Sequence, residues 1–206
     1  LRQFGVQEAD IISIVQSITK YSVMINEPED IIFHLEKAIY LALSGRPGPV
    51  WLDIPLDVQG FSLEEDDLQH FSPPSQEIVE EIKGFDKFIE YYKKSKRPVV
   101  LAGNGVRLSG SIDLLKRFIG INNLPCVVTY LGVDYFEQDD INYVGRIGIK
   151  GDRAGNFAIQ NSDLIICLGS RLSITQTGFE YDLFGREATI VVIDIDKDEH
   201  QKNTVR

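Results

Sequence analysis

From Arg97 onward the chain alternates contiguous apolar runs with amphipathic segments, and this rhythm leaves few folds open. The runs Pro98–Ala102, Cys126–Tyr130, Leu164–Leu168 and Ile190–Ile195 lack the every-other-residue polarity of a half-solvated strand. Strands that are apolar on both faces belong in a parallel sheet covered on both sides. The segments between them carry helical periodicity. Ser109 can cap a helix at about 110–120 with Ile112, Leu115, Phe118 and Ile119 inward, and Gly151-Asp152 opens another with Ala154, Phe157 and Ala158 on one face. The expected fold class is α/β, with a doubly wound parallel sheet.

The earlier part of the chain reads differently. Residues 1–25 form a short helix or loop followed by the apolar segment Tyr21–Ile25. Residues 28–43 predict a helix, with Asn26 as its cap, Pro28, Glu29 and Asp30 in the first turn, and an apolar stripe of Ile31, Leu35, Ala38 and Ala42 that Ile32 and Ile39 widen. Next comes Ser44-Gly45-Arg46-Pro47-Gly48-Pro49, a helix stop and rigid bend, then a strand at Val50–Ile54 that Pro55 ends. Residues 61–76 combine the acidic run Glu64–Asp67 with Ser72-Pro73-Pro74-Ser75 and read as a linker. A helix over 76–94 follows, with Ile78, Val79, Ile82, Phe85, Phe88 and Ile89 at helical spacing.

Composition narrows the function classes. A net charge of −10 argues against general nucleic-acid binding. No run of about 18 apolar residues is present, so no membrane span is expected. The start, Leu1-Arg2-Gln3-Phe4-Gly5, has neither an initiator Met nor a basic start followed by an apolar core, so an internal piece of a longer cytoplasmic protein is expected. Cys126 and Cys167 sit within apolar runs, as buried free thiols would. His34, His70 and His200 lack metal-ligand spacing, and no metal site is expected.

In an open parallel sheet, ligands bind beyond the carboxyl ends of the strands. The loops there are Gly103-Asn104-Gly105-Val106-Arg107, Leu131-Gly132, Gly145-Arg146-Ile147-Gly148-Ile149-Lys150-Gly151, Gly169-Ser170-Arg171 and Asp194-Ile195-Asp196. Glycines admit close backbone approach to a phosphate, and Arg107, Arg146, Lys150, Arg153 and Arg171 cluster on these loops in an otherwise acidic chain. Asp194 and Asp196 could accept ribose hydroxyls or an adenine amino group. The candidate cofactor-binding residues are therefore Gly103, Asn104, Gly105, Gly145, Arg146, Gly148, Gly169, Arg171, Asp194 and Asp196. A second reading stays open, in which the same glycines serve only tight turns. Leu108 occupies the third site of the dinucleotide pattern Gly-x-Gly-x-x-Gly.

The order Ser44-Gly45-Arg46-Pro47-Gly48-Pro49-Val50-Trp51-Leu52-Asp53-Ile54-Pro55 resembles the end of the pyrimidine-binding domain of thiamine diphosphate enzymes of the acetolactate synthase group. Gly5–Asp10 and Ile18–Ser22 look like nearby segments of that domain. Ala102–Val106, Asn161–Arg171 and Val192–Asp196 resemble the family's central domain. The resemblance implies a Rossmann-like central domain over 77–206, of the kind that binds NAD or FAD in related folds and continuing past Arg206. The end of a pyrimidine domain over 1–60 precedes it. It further implies a 2-keto acid carboligase or decarboxylase, active as a homo-oligomer (dimer or tetramer), using thiamine diphosphate and Mg2+.

The activating glutamate and the magnesium motif would then lie before Leu1 and after Arg206, leaving no catalytic residue within the chain. The central domain of such enzymes binds FAD, another adenine nucleotide such as ADP, or nothing. Here Arg171-Leu172-Ser173-Ile174-Thr175 stands in place of the family's Arg-Phe-Asp-Asp-Arg, and Gly145-Arg146-Ile147-Gly148 in place of Gly-Met-His-Gly. Val6 and Tyr21 replace the aromatic residue and histidine of two substrate-side positions. Two other functions suit a fold of this class. A stand-alone adenine-nucleotide module is the alternative, and a partial pyrimidine-domain segment disfavours it. An NAD-dependent deacylase lacks its catalytic His and zinc cysteines here.

Overall fold

The structure, a computed structural model, describes residues 5, 9–64, 68–75, 84–202 and 204. The chain divides into two compact units, Leu1–Val79 and Glu80–Arg206.

The first unit runs α1 (Ile11–Val15), β1 (Tyr21–Met24), α2 (Ile31–Leu43), β2 (Val50–Asp53) and α3 (Leu56–Gln59). The strands pair in parallel, Tyr21 opposite Val50 and Met24 opposite Asp53, so β1, α2 and β2 form a βαβ unit. A 3₁₀ turn, Pro28–Asp30, leads into α2. Glu27 and Asp30 hold the N-cap positions of turn and helix, neither with a side-chain cap bond, so Asn26 is not the cap that was expected. Ala38 is buried and Ile31 and Ala42 are half-buried as expected, but Leu35 is exposed, together with Ile39 and Leu43. A two-stranded sheet covers only a narrow part of so wide a stripe.

The bend after α2 is fixed by a residue distant in sequence. Gly45 takes the left-handed conformation, φ +57°, and the Lys20 ammonium donates to the Ser44 carbonyl at 2.7 Å and the Arg46 carbonyl at 3.0 Å. A cation on the last carbonyls of a helix meets the negative end of its dipole. Gly48 lies on the Lys20 stem, where a Cβ would come within 2.9 Å of Cδ. The polar segment after Gly60 returns to α2 in part. Glu36 accepts from the Phe71 amide at 2.8 Å and pairs with His70 at 2.9 Å, and the Phe71 ring meets Phe33 and Tyr40. Ser72–Ser75 are exposed.

The second unit contains α4 (Phe85–Lys94), β3 (Pro98–Ala102), α5 (Gly105–Leu108), α6 (Ile112–Asn122), β4 (Cys126–Val128), β5 (Tyr143–Arg146), α7 (Arg153–Asn161), β6 (Leu164–Leu168), α8 (Ile174–Thr177), β7 (Thr189–Ile193) and α9 (Lys197–His200). Ile78, Val79 and Ile82 of the expected 76–94 helix lie outside the described residues. The five strands are all parallel, in the order β5-β4-β3-β6-β7.

Alternate residues of the central strands build two cores. Val100, Ala102, Cys126, Val128, Leu164 and Ile166 face Leu115 and Ile119 of α6, with Phe88, Tyr91 and Tyr92 of α4 packed alongside. Val99, Leu101, Val127, Ile165 and Cys167 face Ile159 of α7, Leu172 and Phe184. Helices therefore lie on both faces, the doubly wound arrangement expected. Burial pushes the Cys126 thiol up to about 12 and raises Cys167 as well, so both thiols are inert. No helix among the described residues is long and apolar enough to cross a membrane.

Three local expectations need correction. Gly145 and Arg146 lie on a strand, β5, rather than in a loop. Helix α7 buries Gly155 and Ile159 and leaves Ala154 and Phe157 exposed, because Gly155 sits directly on the Arg146 main chain. Ser111, rather than Ser109, holds the N-cap position of α6, and its side chain makes no cap bond.

The entries to β3 and β6 are knotted by Asp163. Its carboxylate accepts the Lys96 amide at 2.8 Å, the Arg97 amide at 2.9 Å and the Ser95 hydroxyl. Burial works to raise its pKa, but these hydrogen bonds outweigh it and hold the carboxyl below its ordinary value.

Two outcomes are expected. A Cβ at Gly105 would lie 2.6 Å from the Gly169 Cα, whereas nothing lies within 4 Å of one at Gly120 in α6. Gly105→Ala should cost about 1–3 kcal/mol through overpacking, and Gly120→Ala should gain about 0.4–1 kcal/mol by restricting the unfolded chain. Urea unfolding of the two variants checks the opposite signs. A carboxyl whose pKa is depressed by folding stabilises above its unfolded value, about 3.9 for Asp, and that contribution disappears as pH falls through the folded value. Asp163→Asn should therefore lower the urea midpoint at pH 7 and flatten its decline below about pH 4. An unchanged decline in the variant would remove Asp163 as its source.

Candidate functional site at the carboxyl edge of the sheet

The strand order reverses at β3. The chain leaves β3 for β4 and β5, then returns to the other side of β3 for β6 and β7. The crevice outside the carboxyl ends of β3 and β6 is thus the topological switch point, where ligands bind in such sheets. Here main chain closes it. The Gly103 amide donates to the Leu168 carbonyl at 2.8 Å, and the Gly105 amide to the Gly169 carbonyl at 3.0 Å. Gly169 has φ +55°, and a Cβ at Gly103 would lie 2.7 Å from the Ser170 Cα. The buried Tyr135 hydroxyl donates to the Gly103 carbonyl at 2.9 Å. The close approach that these glycines permit is made by backbone on backbone. Asn104, half-buried beside them, makes no side-chain hydrogen bond among the described residues.

The next loops meet further out. The Gly148 amide donates to Asn156 Oδ1 at 2.9 Å, Asn156 Nδ2 returns a bond to the Gly148 carbonyl at 3.1 Å, and the Ile149 amide donates to the Thr175 carbonyl at 2.9 Å. The loop after β5 therefore lies on α8. Gly145, φ +132°, stays within β5. At the end of β7, Asp194 accepts the Asp196 amide and Asp196 accepts the Asp198 amide, each at 3.0 Å. Both carboxylates thus shape the turn into α9. The Gly169 amide donates to the Ile193 carbonyl at 2.9 Å, which joins this turn to the loop after β6.

Arg107, Arg146 and Arg171 have carboxylate partners within the chain. Arg107 pairs with Asp134 and lies 5.1 Å over the Tyr135 ring. Arg146 grips Asp152 with two guanidinium nitrogens, at 3.2 and 3.0 Å, while its amide donates to the same carboxylate at 2.8 Å. Those bonds from Arg146 hold the Asp152 carboxyl below its ordinary value, and the Arg107 bond does the same for Asp134. Asp152 stands at the N-cap position of α7, so its charge fills the helix terminus that a phosphate would use.

Arg171 Nε donates to Glu199 Oε1 at 3.0 Å. The Lys202 ammonium meets the other Glu199 oxygen and donates to the Arg171 carbonyl at 2.7 Å. The Arg153 guanidinium lies 5.3 Å from the Phe157 ring. Lys150 is exposed and has no ion pair among the described residues.

The predicted residues fall into three groups. Gly103, Asn104, Gly105 and Gly169 meet at the switch point. Gly148 joins α8, with Arg146 at the end of β5 nearby in sequence. Arg171, Asp194 and Asp196 gather around α9. Asp134, Glu199 and Lys202 belong to this edge and were missed, because the arginines they hold, Arg107 and Arg171, stand 27 to 31 residues away. At Arg107, Arg146 and Arg171 an anion would compete with a resident carboxylate. A cavity of about 570 Å³ lies at the opposite, amino-terminal edge, lined by Lys96, Arg97, Asn122 and Asn123 among others.

Comparison with known proteins agrees with this architecture. Residues 85–206 match the central domain of thiamine pyrophosphate enzymes. The acetolactate synthase large subunit of Corynebacterium glutamicum is 35% identical over 92% of this chain and 30% of its own length. Acetolactate synthase 1, chloroplastic, of Zea mays is 33% identical over 96% of this chain and 31% of its length. The acetolactate synthase isozyme 2 large subunit of Escherichia coli is 31% identical over 95% of this chain and 35% of its length. The chain thus spans about a third of the length of these relatives. With this sequence match resting on a five-stranded parallel sheet, the chain belongs to the thiamine pyrophosphate enzyme family.

Proposed function

We propose that this chain supplies the central domain of a cytoplasmic, homo-oligomeric carboligase or decarboxylase acting on 2-keto acids. In this reading residues 1–60 are the end of the pyrimidine-binding domain, 61–76 a linker and 77–206 the central domain. The two compact units and the match over residues 85–206 support it. Thiamine diphosphate, when bound, supplies the electron sink for carbon–carbon cleavage. Holding its diphosphate through Mg2+ takes several oxygen ligands, and the described residues bring together no group of three His, Cys, Asp or Glu side chains able to hold a metal ion. The residues here therefore do not fit that anchor, and the chain contributes packing and positioning rather than a catalytic group.

The carboxyl edge is proposed as a weak adenine-nucleotide site. The observation that carries this reading is that the glycine loops and arginines share the carboxyl edge of the sheet, around the topological switch point. Asn104 and Lys150 offer polar contacts there. Arg146 and Arg171 are already engaged by carboxylates, so a nucleotide gains little from them. Flavin retention through purification requires more than such shared charges, since exposed ion pairs contribute only about 0.2–1 kcal/mol.

The purified chain should be colourless and without carboligase or decarboxylase activity. Titration calorimetry should find no sub-micromolar site for thiamine diphosphate with Mg2+, and ADP binding weaker than about 100 µM. Arg171→Ala should weaken ADP binding further, and exposed Lys94→Ala should not. A yellow protein with one FAD per chain, or an active one, would overturn the reading.

A further inference from the structure

At the amino-terminal edge of the second unit's sheet, the cavity of about 570 Å³ opens among the ends of α4, α6 and α7 and the start of β3. Its size is that of a small-molecule site. Val99 and Leu124, both buried, line it together with Pro98, Pro125 and Ala158. Lys96 and Arg97 supply its charge, and no Asp or Glu lines it, in a chain with 31 acidic and 21 basic residues. Neither cation forms an ion pair among the described residues. The neighbouring Asp163 is occupied by the Ser95 hydroxyl and the Lys96 and Arg97 amides, and the Arg97 charge adds to their pull on it. Arg97 Nε donates to the Asn161 carbonyl at 2.6 Å. That bond anchors the side chain on the end of α7 and leaves both terminal guanidinium nitrogens without a hydrogen-bond partner among the described residues.

We propose that this cavity binds a small organic carboxylate, with Arg97 and Lys96 holding the carboxylate and the apolar lining holding its body. A guanidinium held through Nε is a pre-organised fork. The protein's own bond has already ordered the side chain, so a carboxylate gains the remaining N–H groups at a lower entropic cost. Lys96, next in the chain and exposed, adds a compact charge. The helix ends around the cavity do not cancel this attraction. Their carbonyls carry the negative ends of helix dipoles, but several already have donors. Asn122 Nδ2 donates to the Phe118 carbonyl at 2.8 Å and the Leu124 amide to the Ile119 carbonyl at 2.9 Å. Asn161 Nδ2 donates to the Phe157 carbonyl at 2.8 Å and the Ser162 hydroxyl to the Ile159 carbonyl at 2.7 Å. A ligand therefore meets positive charge beside an apolar wall. That combination selects an amphiphile with one anionic end, a carboxylate on a compact aliphatic or aromatic body. The proposal is independent of the nucleotide reading, which concerns the opposite edge of the same sheet.

The test uses the full 206-residue chain, with hexanoate as the probe and amide NMR shifts as the readout. Hexanoate should move the amides of residues 95–97, 122–124 and 161–162 and leave those of 145–151 in place. Its Kd should be about 1–10 mM, the range for one anchored charge on a small apolar body. Hexanol, with the same body and no charge, and hexylammonium, with the opposite charge, should bind about five- to tenfold more weakly. Arg97→Gln should weaken hexanoate about tenfold, and Lys96→Gln about two- to fivefold. Lys150→Gln, at the opposite edge, should leave it unaltered. The Lys96 side chain makes no hydrogen bond among the described residues, so Lys96→Gln keeps the test open where Arg97→Gln, which loses its bond to α7, fails to fold. No movement of the cavity amides with hexanoate would overturn the proposal. Equal affinity for hexanol and hexanoate would overturn it too, because the cavity would then be an apolar slot without an anion seat. So would hexanoate affinity that survives the loss of both cations in the double variant.

Discussion

The contact on which the rest of the second unit depends is main chain against main chain, where Gly103 and Gly105 meet Gly169. Parallel strands β3 and β6 run side by side from Pro98 opposite Leu164 to Ala102 opposite Leu168, and their exits must then diverge. Without side chains the two exits approach until the Gly105 amide bonds the Gly169 carbonyl. That bond sets where α5 begins and where Arg107 and Arg171 are carried. It also places backbone where an open α/β sheet ordinarily keeps a crevice. Ligand chemistry, if the edge is to have any, is moved outward to the rim.

The rim shows how an acidic chain arranges its cations. Arg107, Arg146 and Arg171 each face a carboxylate from the same unit, and these pairings staple loops together: 107 to 134, 146 to 152, 171 to 199. A guanidinium used in this way serves geometry more than long-range attraction, because the paired charges cancel beyond a short distance. The edge therefore has the residue types of a nucleotide site without its field. A net charge of −10 reinforces the same outcome for any polyanion approaching from solution.

Much of this fold was legible before the structure. Contiguous runs such as Val99–Ala102 and Leu164–Cys167 are buried on both faces, and burial of that kind leaves an unambiguous pattern. The inward positions Leu115 and Ile119 of α6 followed from spacing alone. Strand β5 escaped because Tyr143-Val144-Gly145-Arg146 is a short edge strand, only partly buried, with a glycine at positive φ. The face of α7 was misjudged because apolar spacing favoured Phe157, while steric need chose Gly155: only a residue without a side chain fits against the Arg146 carbonyl. The glycine loops were found, but what they approach was not legible, since a glycine pattern is the same whether its neighbour is a phosphate or a carbonyl. The partners Asp134 and Glu199 depend on tertiary closure, because the arginines they hold stand 27 and 28 residues away.

Lys20 joins two segments that the sequence keeps 24 to 26 residues apart. Its ammonium sits on carbonyls that become available only when α2 has ended in the correct turn, and its own amide bonds the Pro49 carbonyl beside the start of β2 at 2.8 Å. The end of the helix and the alignment of the strand pair are therefore read by one residue. A slip of β2 by one position would move the Pro49 carbonyl away and draw the ammonium off its helix end. In a sheet of two strands, where few neighbours enforce register, that coupling acts as an alignment check during folding: strand pairing gains its full stability only in the register that also finishes the helix.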